Sequence, residues 1–151
     1  MSKLDELGLV YLEALKEVIS TVTGIHLQVG SRESNNDFDD ITGIMYLNGK
    51  KSGVLFVTAN TPDVRFLCSK FIGITPEEVT SDDISDTMCE FVNMTAGNAK
   101  LRLCGSDYMF SLLQPFVIKG NDVSIVTKKV THVEAGTLTN GEVSISFKVV
   151  Y

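Results

Sequence analysis

The order of periodicities along the chain predicts an α+β fold, a mainly antiparallel sheet of about six strands with helices packed on it. Three observations carry this expectation. A helical apolar period opens the chain and returns over residues 61 to 103, whereas a two-residue alternation governs the stretches around residues 41–58 and 142–150. Asn48-Gly49 and Asn140-Gly141 mark hairpins, because both residue types tolerate positive φ. Strands that follow one another through hairpins run antiparallel, and a parallel doubly wound sheet would need a crossover between each pair.

Residues 3 to 23 place Leu4, Leu7, Leu12, Leu15, Val18 and Ile19 at helical spacing, and Gly24 ends that helix. Ile25, Leu27 and Val29 alternate with His26 and Gln28 as a half-buried strand. SRESNNDFDD, residues 31–40, is polar turn material and reads as a mobile loop. Ile41 to Leu47 and Gly53 to Thr58 then form two strands joined around Asn48-Gly49. Thr61-Pro62-Asp63 opens the next helix with a capping hydroxyl, a proline in the first turn and an acid near the positive dipole end. It runs to about Phe71 and stops near Gly73. Thr75-Pro76-Glu77-Glu78 repeats the device as a short turn, with Glu78 placed for a capping box.

A long helix follows from Ser81 to Leu103. Beyond Gly105 the chain turns extended, over Tyr108 to Leu113 and, after Pro115, over Phe116 to Ile118. Lys129 to Leu138 and Glu142 to Val150 form a closing hairpin about Asn140-Gly141. Val143, Ile145, Phe147 and Val149 alternate with Ser144, Ser146 and Lys148, so one sheet face is covered and the other is wetter.

A length of 151 residues with 44% apolar side chains suits one domain, 1–151, with a real core and no linker. The formal charge of −6, without a basic stripe, excludes a general nucleic-acid binder. Cys68, Cys89 and Cys104 form no CxxC; they read as small buried hydrophobes in helices and point to a reducing compartment. The N-terminal stretch is amphipathic and carries charges at intervals, so it is neither a signal peptide nor a membrane span. The expectation is a cytoplasmic protein without nucleic-acid or membrane partners.

Familiar catalytic motifs are missing: there is no GxSxG, no HExxH and no glycine-rich phosphate loop. His26 and His132 read as solvated or structurally satisfied rather than as an acid/base couple. The long helix is where chemistry gathers. Asp86, Glu90, Asn93 and Gly97 stand at i, i+4, i+7 and i+11. At about 100° per residue they fall within an arc of roughly 60°. Ile84, Met88, Phe91, Val92, Thr95, Ala99 and Leu103 take the opposite side.

The spacing Asp86-x3-Glu90-x2-Asn93, with Pro115 following Asn93 after twenty-one intervening residues, resembles the signature of the CheC/CheX/FliY family of chemotaxis phosphatases. The resemblance extends to NMTAGNAK (93–100), ITGIMYLNGKKSGVLFVT (41–58) and GEVSISFKV (141–149), and so covers nearly the whole chain in order. Glu33-Ser34-Asn35-Asn36 also fits ExxN, but it lies in a loop without helical phase. One motif copy makes the chain most similar to the CheX branch, since CheC-like members carry two and FliY adds a flagellar-switch domain.

The resemblance implies hydrolysis of the aspartyl phosphate of a phosphorylated CheY-like response regulator. It also implies a homodimer, no metal of the chain's own, and magnesium carried by the regulator. Asn93 would orient the attacking water and Glu90 would dock the regulator's lysine. Asp86, Gly97 and Pro115 would support docking: Asp86 by orientation, Gly97 by close backbone approach, Pro115 by fixing the chain beneath the site. A packing role for Gly97 against a neighbouring strand is the other reading of that residue. Two alternatives to catalysis stand beside this. One is a non-catalytic adaptor or sensory module binding a response regulator, flagellar component or small molecule. The other is a structural dimer with the row buried in its contact.

Overall fold

The computed structural model describes residues 4–32 and 37–151. Helix α1 (Glu6–Thr23) is followed by strands β1 (Gln28–Gly30), β2 (Ile41–Gly49) and β3 (Gly53–Ala59). Helices α2 (Thr61–Ile72) and α3 (Ser81–Arg102) come next, with a 3-10 turn at Pro76–Glu78 between them. Strands β4 (Phe110–Ser111), β5 (Phe116–Lys119), β6 (Val133–Thr139) and β7 (Ser144–Val150) complete the chain. The strands form one sheet in the order β1-β6-β7-β3-β2, with β4 and β5 both on the outer side of β2, and every pairing is antiparallel. This is the expected α+β architecture, with three helices on the sheet.

The helices cover one sheet face. Tyr11, Leu15 and Ile19 of α1 and Met88, Phe91 and Val92 of α3 pack with Met45, Leu55, Val57, Ile145 and Phe147 in the main core. The other face is less open than the alternation suggests. Phe38, Ile44, Phe56 and Val150 form a small second core there, with the Phe38 and Phe56 rings 5.0 Å apart. The hydroxyl pairs Thr42–Thr58 (2.8 Å) and Thr137–Ser146 (2.7 Å) give each of these buried side chains a hydrogen-bond partner.

Several local expectations change. Part of the 31–40 loop, residues 33–36, lies outside the described residues, and so does the second ExxN match. Its flank is anchored: Arg32 Nη2 meets Asp39 Oδ1 at 3.1 Å, and Phe38 is buried. The β2–β3 turn is centred on residues 50–52 rather than on Asn48-Gly49, which stay in the strand and pair with Ser111 and Phe110. Gly49 is needed for proximity, since a Cβ there would lie 2.2 Å from the Met109 carbonyl oxygen.

Thr61 does not cap α2. Asn60 is the N-cap, and the Thr61 N–H donates to Asp40 Oδ1 at 2.7 Å. The strand expected from Lys129 starts only at Val133, and Lys129 itself has a positive φ that an extended strand does not accommodate. The first strand is likewise shorter than its alternation, and Val29 is exposed. Only Cys68 is buried; Cys89 is half-buried and Cys104 exposed.

The edge strand is broken. Five steps from Phe116 back to Ser111 oppose four from Ile44 to Asn48, so one residue bulges between β5 and β4. Pro115 lies in that interval, where a residue without an N–H costs the ladder least. Counting β4 and β5 as one interrupted strand gives the six of the sequence expectation.

Two glycines carry opposite consequences. A Cβ on Gly43 would lie 2.4 Å from Val92 Cγ2 and 3.1 Å from the Met88 carbonyl oxygen, so this position sets how closely α3 sits on β2. On Gly97 a Cβ would meet nothing within 4 Å. Gly43→Ala is therefore expected to destabilise the fold by about 1–3 kcal/mol through overpacking. Gly97→Ala is expected to stabilise it by about 0.5–1 kcal/mol through helix propensity alone. Urea unfolding followed by circular dichroism reads both, and equal effects of the same sign would contradict this account.

Candidate functional site

Helix α3 starts where Thr80 and Asp83 close a capping box. The Asp83 N–H donates to Thr80 Oγ1 at 3.1 Å, and the Thr80 N–H donates to Asp83 Oδ2 at 3.0 Å. Asp82 and Asp83 in the first turn and Lys100 and Arg102 in the last complement the helix dipole. The far end is clamped to α1. Asn98 Nδ2 and Arg102 Nη2 both donate to Glu17 Oε2, at 3.1 and 2.5 Å. These bonds, from Asn98 first and Arg102 second, hold the Glu17 carboxyl below its ordinary range. At the near end Lys119 Nζ, from β5, donates to Ser81 Oγ at 3.0 Å.

One face of this rod is buried. Ile84, Thr87, Met88, Phe91, Val92, Thr95, Ala96 and Ala99 are inside, and Phe91 stacks obliquely on Phe71 of α2 at 5.8 Å. With that face committed, the remaining orientation is forced. Asp86 and Glu90 are exposed, and Asn93 and Gly97 are half-buried beside them. None of the Asp86, Glu90 and Asn93 side chains makes a hydrogen bond or ion pair among the described residues. A carboxamide in that position keeps both its donor and its acceptor available, and the carboxylates keep their charge unneutralised.

Cys89 sits between the two acids on the same helix. Burial first, then the charges of Asp86 and Glu90, push its thiol up. A raised thiol is a poorer nucleophile than an ordinary cysteine, so Cys89 offers the row no prepared thiolate. The Cys68 thiol is likewise pushed up by burial, and its Sγ accepts from Thr87 Oγ1 at 3.0 Å.

The sequence-derived residues are thus placed unequally. Asp86, Glu90, Asn93 and Gly97 share one open face of α3, and among the described residues nothing lies within 4 Å of where a Gly97 Cβ would stand, so the reading as a tight strand contact finds no support. Pro115 is half-buried at the start of β5, a strand in contact with α3, so it belongs to the sheet edge beside the helix rather than to the row. His26 is exposed. His132 is engaged by carboxylates: its Nε2 lies 2.8 Å from Asp5 Oδ2 and 3.3 Å from Glu134 Oε1. The sequence shows half of that cluster, since His132-x-Glu134 puts two side chains on one face of a strand. Asp5, 127 residues before His132, carries no such signal.

Among the described residues no helix is long and apolar enough to cross a membrane. Comparison with curated proteins returns no match. Solved structures match along nearly the whole chain. A chemotaxis protein CheX from Vibrio vulnificus superposes with a TM-score of 0.82 at 19% identity, covering 97% of this chain and 99% of the other. A CheX from Desulfovibrio desulfuricans gives 0.79 at 22% identity, covering 97% and 100%. A CheX–CheY–BeF3–Mg2+ complex from Borrelia burgdorferi gives 0.74 at 16% identity, covering 98% and 97%. At these identities the likeness establishes the fold. Sequence supplies the rest: the family model for chemotaxis phosphatase CheX matches residues 41–139, well over half of the chain and inclusive of all of α3, and the protein therefore belongs to the CheX family.

Proposed function

We propose that this protein accelerates hydrolysis of the aspartyl phosphate of a CheY-like response regulator, with Asn93 orienting the water. The observation that carries the reading is the in-phase pair Glu90 and Asn93, without hydrogen-bond or ion-pair partners among the described residues, on the open face of a rigid helix in a CheX-family chain. The water's oxygen bonds to phosphorus, the bond from phosphorus to the regulator's carboxylate oxygen breaks, and both water protons end on inorganic phosphate. Magnesium stays with the regulator, so the chain contributes position rather than charge neutralisation. Asn93 holds the water by donor and acceptor without repelling phosphoryl oxygens. Glu90, one turn earlier, pairs with the regulator's lysine and aims the helix, and Asp86 extends the acidic face. Gly97 leaves room for the partner's backbone. The CheX of the Borrelia burgdorferi structure is held with CheY, which supports a partner of this kind.

The reading includes a cytoplasmic homodimer that pairs through the sheet edge. The outer side of β4 and β5 has no strand partner among the described residues. It also carries exposed Leu112, Leu113 and Phe116, the last 53% accessible.

Asn93→Ala is expected to lower phosphate release from a phosphorylated regulator by about 100-fold or more while leaving binding within a few-fold. Glu90→Lys is expected to weaken both, by placing like charges together. Wild-type turnover in Asn93→Ala would overturn the mechanism, and binding without any accelerated release by the native chain would make it an adaptor. In sedimentation, the native chain is expected to run as a dimer and Phe116→Asp as a monomer. A native monomer, or a variant dimer, would remove the edge-pairing assignment.

A further inference from the structure

A second cluster of chemistry-bearing groups lies away from the α3 row, where the N-terminus of α1 meets the start of β6. Asp5 Oδ2 and Glu134 Oε1 converge on His132 Nε2 at 2.8 and 3.3 Å, and one donor atom from each of the three residues lies within 4.8 Å of the others. We propose that Asp5, His132 and Glu134 bind a divalent first-row transition cation such as Zn2+, which ties α1 to β6.

The spacing suits such an ion. With ligands about 2.0–2.1 Å from the metal, two of them stand about 2.9 Å apart at a right angle and about 3.4 Å apart at the tetrahedral angle. The donor set is an imidazole and two carboxylates, which favours these cations over Mg2+ or Ca2+, whose sites are built from oxygen. Two carboxylates against a dication leave the site neutral. The positive end of the α1 dipole opposes a cation, but Asp5 Oδ1 faces that end, accepting from the Gly8 N–H at 2.9 Å, and leaves Oδ2 outward.

Each ligand is already held. The Gly8 N–H fixes the Asp5 carboxylate from within the first turn of α1. Glu134 Oε1 accepts from the Asp5 N–H at 3.3 Å, and its carboxyl lies over Gly8, where a Cβ would meet Cδ and Oε2 at 3.1 Å. The His132 backbone is bonded twice to Tyr151, donating to its carbonyl at 3.2 Å and accepting from its N–H at 2.9 Å. A cavity of about 460 Å3, lined by Asp5, His132, Ser106 and Tyr108 among others, opens beside the cluster and admits the water that completes the coordination. Arg102 also lines it, with its charge paired to Glu17.

The test is calorimetric titration of the full chain with Zn2+, and with Mg2+ as control, beside His132→Ala, Glu134→Gln and Cys104→Ser, each checked for native circular dichroism. One Zn2+ per chain is expected, with affinity lowered at least tenfold in His132→Ala and in Glu134→Gln and unchanged in Cys104→Ser. Phosphate release is expected to be unaffected by Zn2+ removal. Glu134→Gln keeps the acceptor for the Asp5 N–H, so its loss of affinity does not rest on misfolding. No Zn2+ binding, equal binding of Mg2+, or binding that survives His132→Ala would overturn the site and leave a plain imidazole–carboxylate clasp. Binding lost in Cys104→Ser would overturn it in favour of a thiolate ligand.

Discussion

The seating of α3 on β2 is the contact on which the rest of the molecule depends. Val92 and Met88 descend onto Gly43, a position where any side chain would collide with them. That approach fixes the rotation of a 22-residue helix whose ends are held separately, at Ser81 by Lys119 and at Arg102 by Glu17. A rod restrained at the middle and at both ends cannot roll. Which side chains face outward is then a consequence of residue number alone.

This has chemical weight because the proposed reaction asks little of the protein beyond placement. An aspartyl phosphate is a mixed anhydride, and its hydrolysis is limited by bringing water in line under suitable electrostatics. Side chains that fold back onto their own helix would be poor tools for that. Asp86, Glu90 and Asn93 have no hydrogen-bond or ion-pair partner among the described residues, so their groups remain available to a visiting protein without first breaking bonds at home.

Away from the row, long-range contacts draw the chain's two ends together. The Tyr11 and Tyr151 hydroxyls meet at 2.7 Å within the core, where burial pushes the Tyr151 phenol up to about 12 and the Tyr11 phenol higher still. Asp5, His132 and Glu134 meet just beyond them. Structural restraint is thus concentrated where α1 crosses the C-terminal strands, while the open face of α3 stays free.

The amino-acid sequence by itself determined the element types, the helical phase and the family. Those depend on local periodicity and on motif spacing, which are properties of neighbours along the chain. It also marked the α1 and α2 ends at Gly24 and Gly73, both of which adopt the left-handed conformation. Wherever a contact joins distant residues, only the tertiary structure decided the outcome. Phe38 looked like loop and became the centre of a second core; Asn48-Gly49 looked like a turn and stayed in the ladder because β4 pairs there. Asp40 rather than Thr61 satisfies the start of α2, and Asp5 reaches a histidine near the opposite end of the sequence. Local patterns record what a segment prefers. The chain's path in space records what finally packs against it, and that was settled by close approach between elements that no window of sequence brings together.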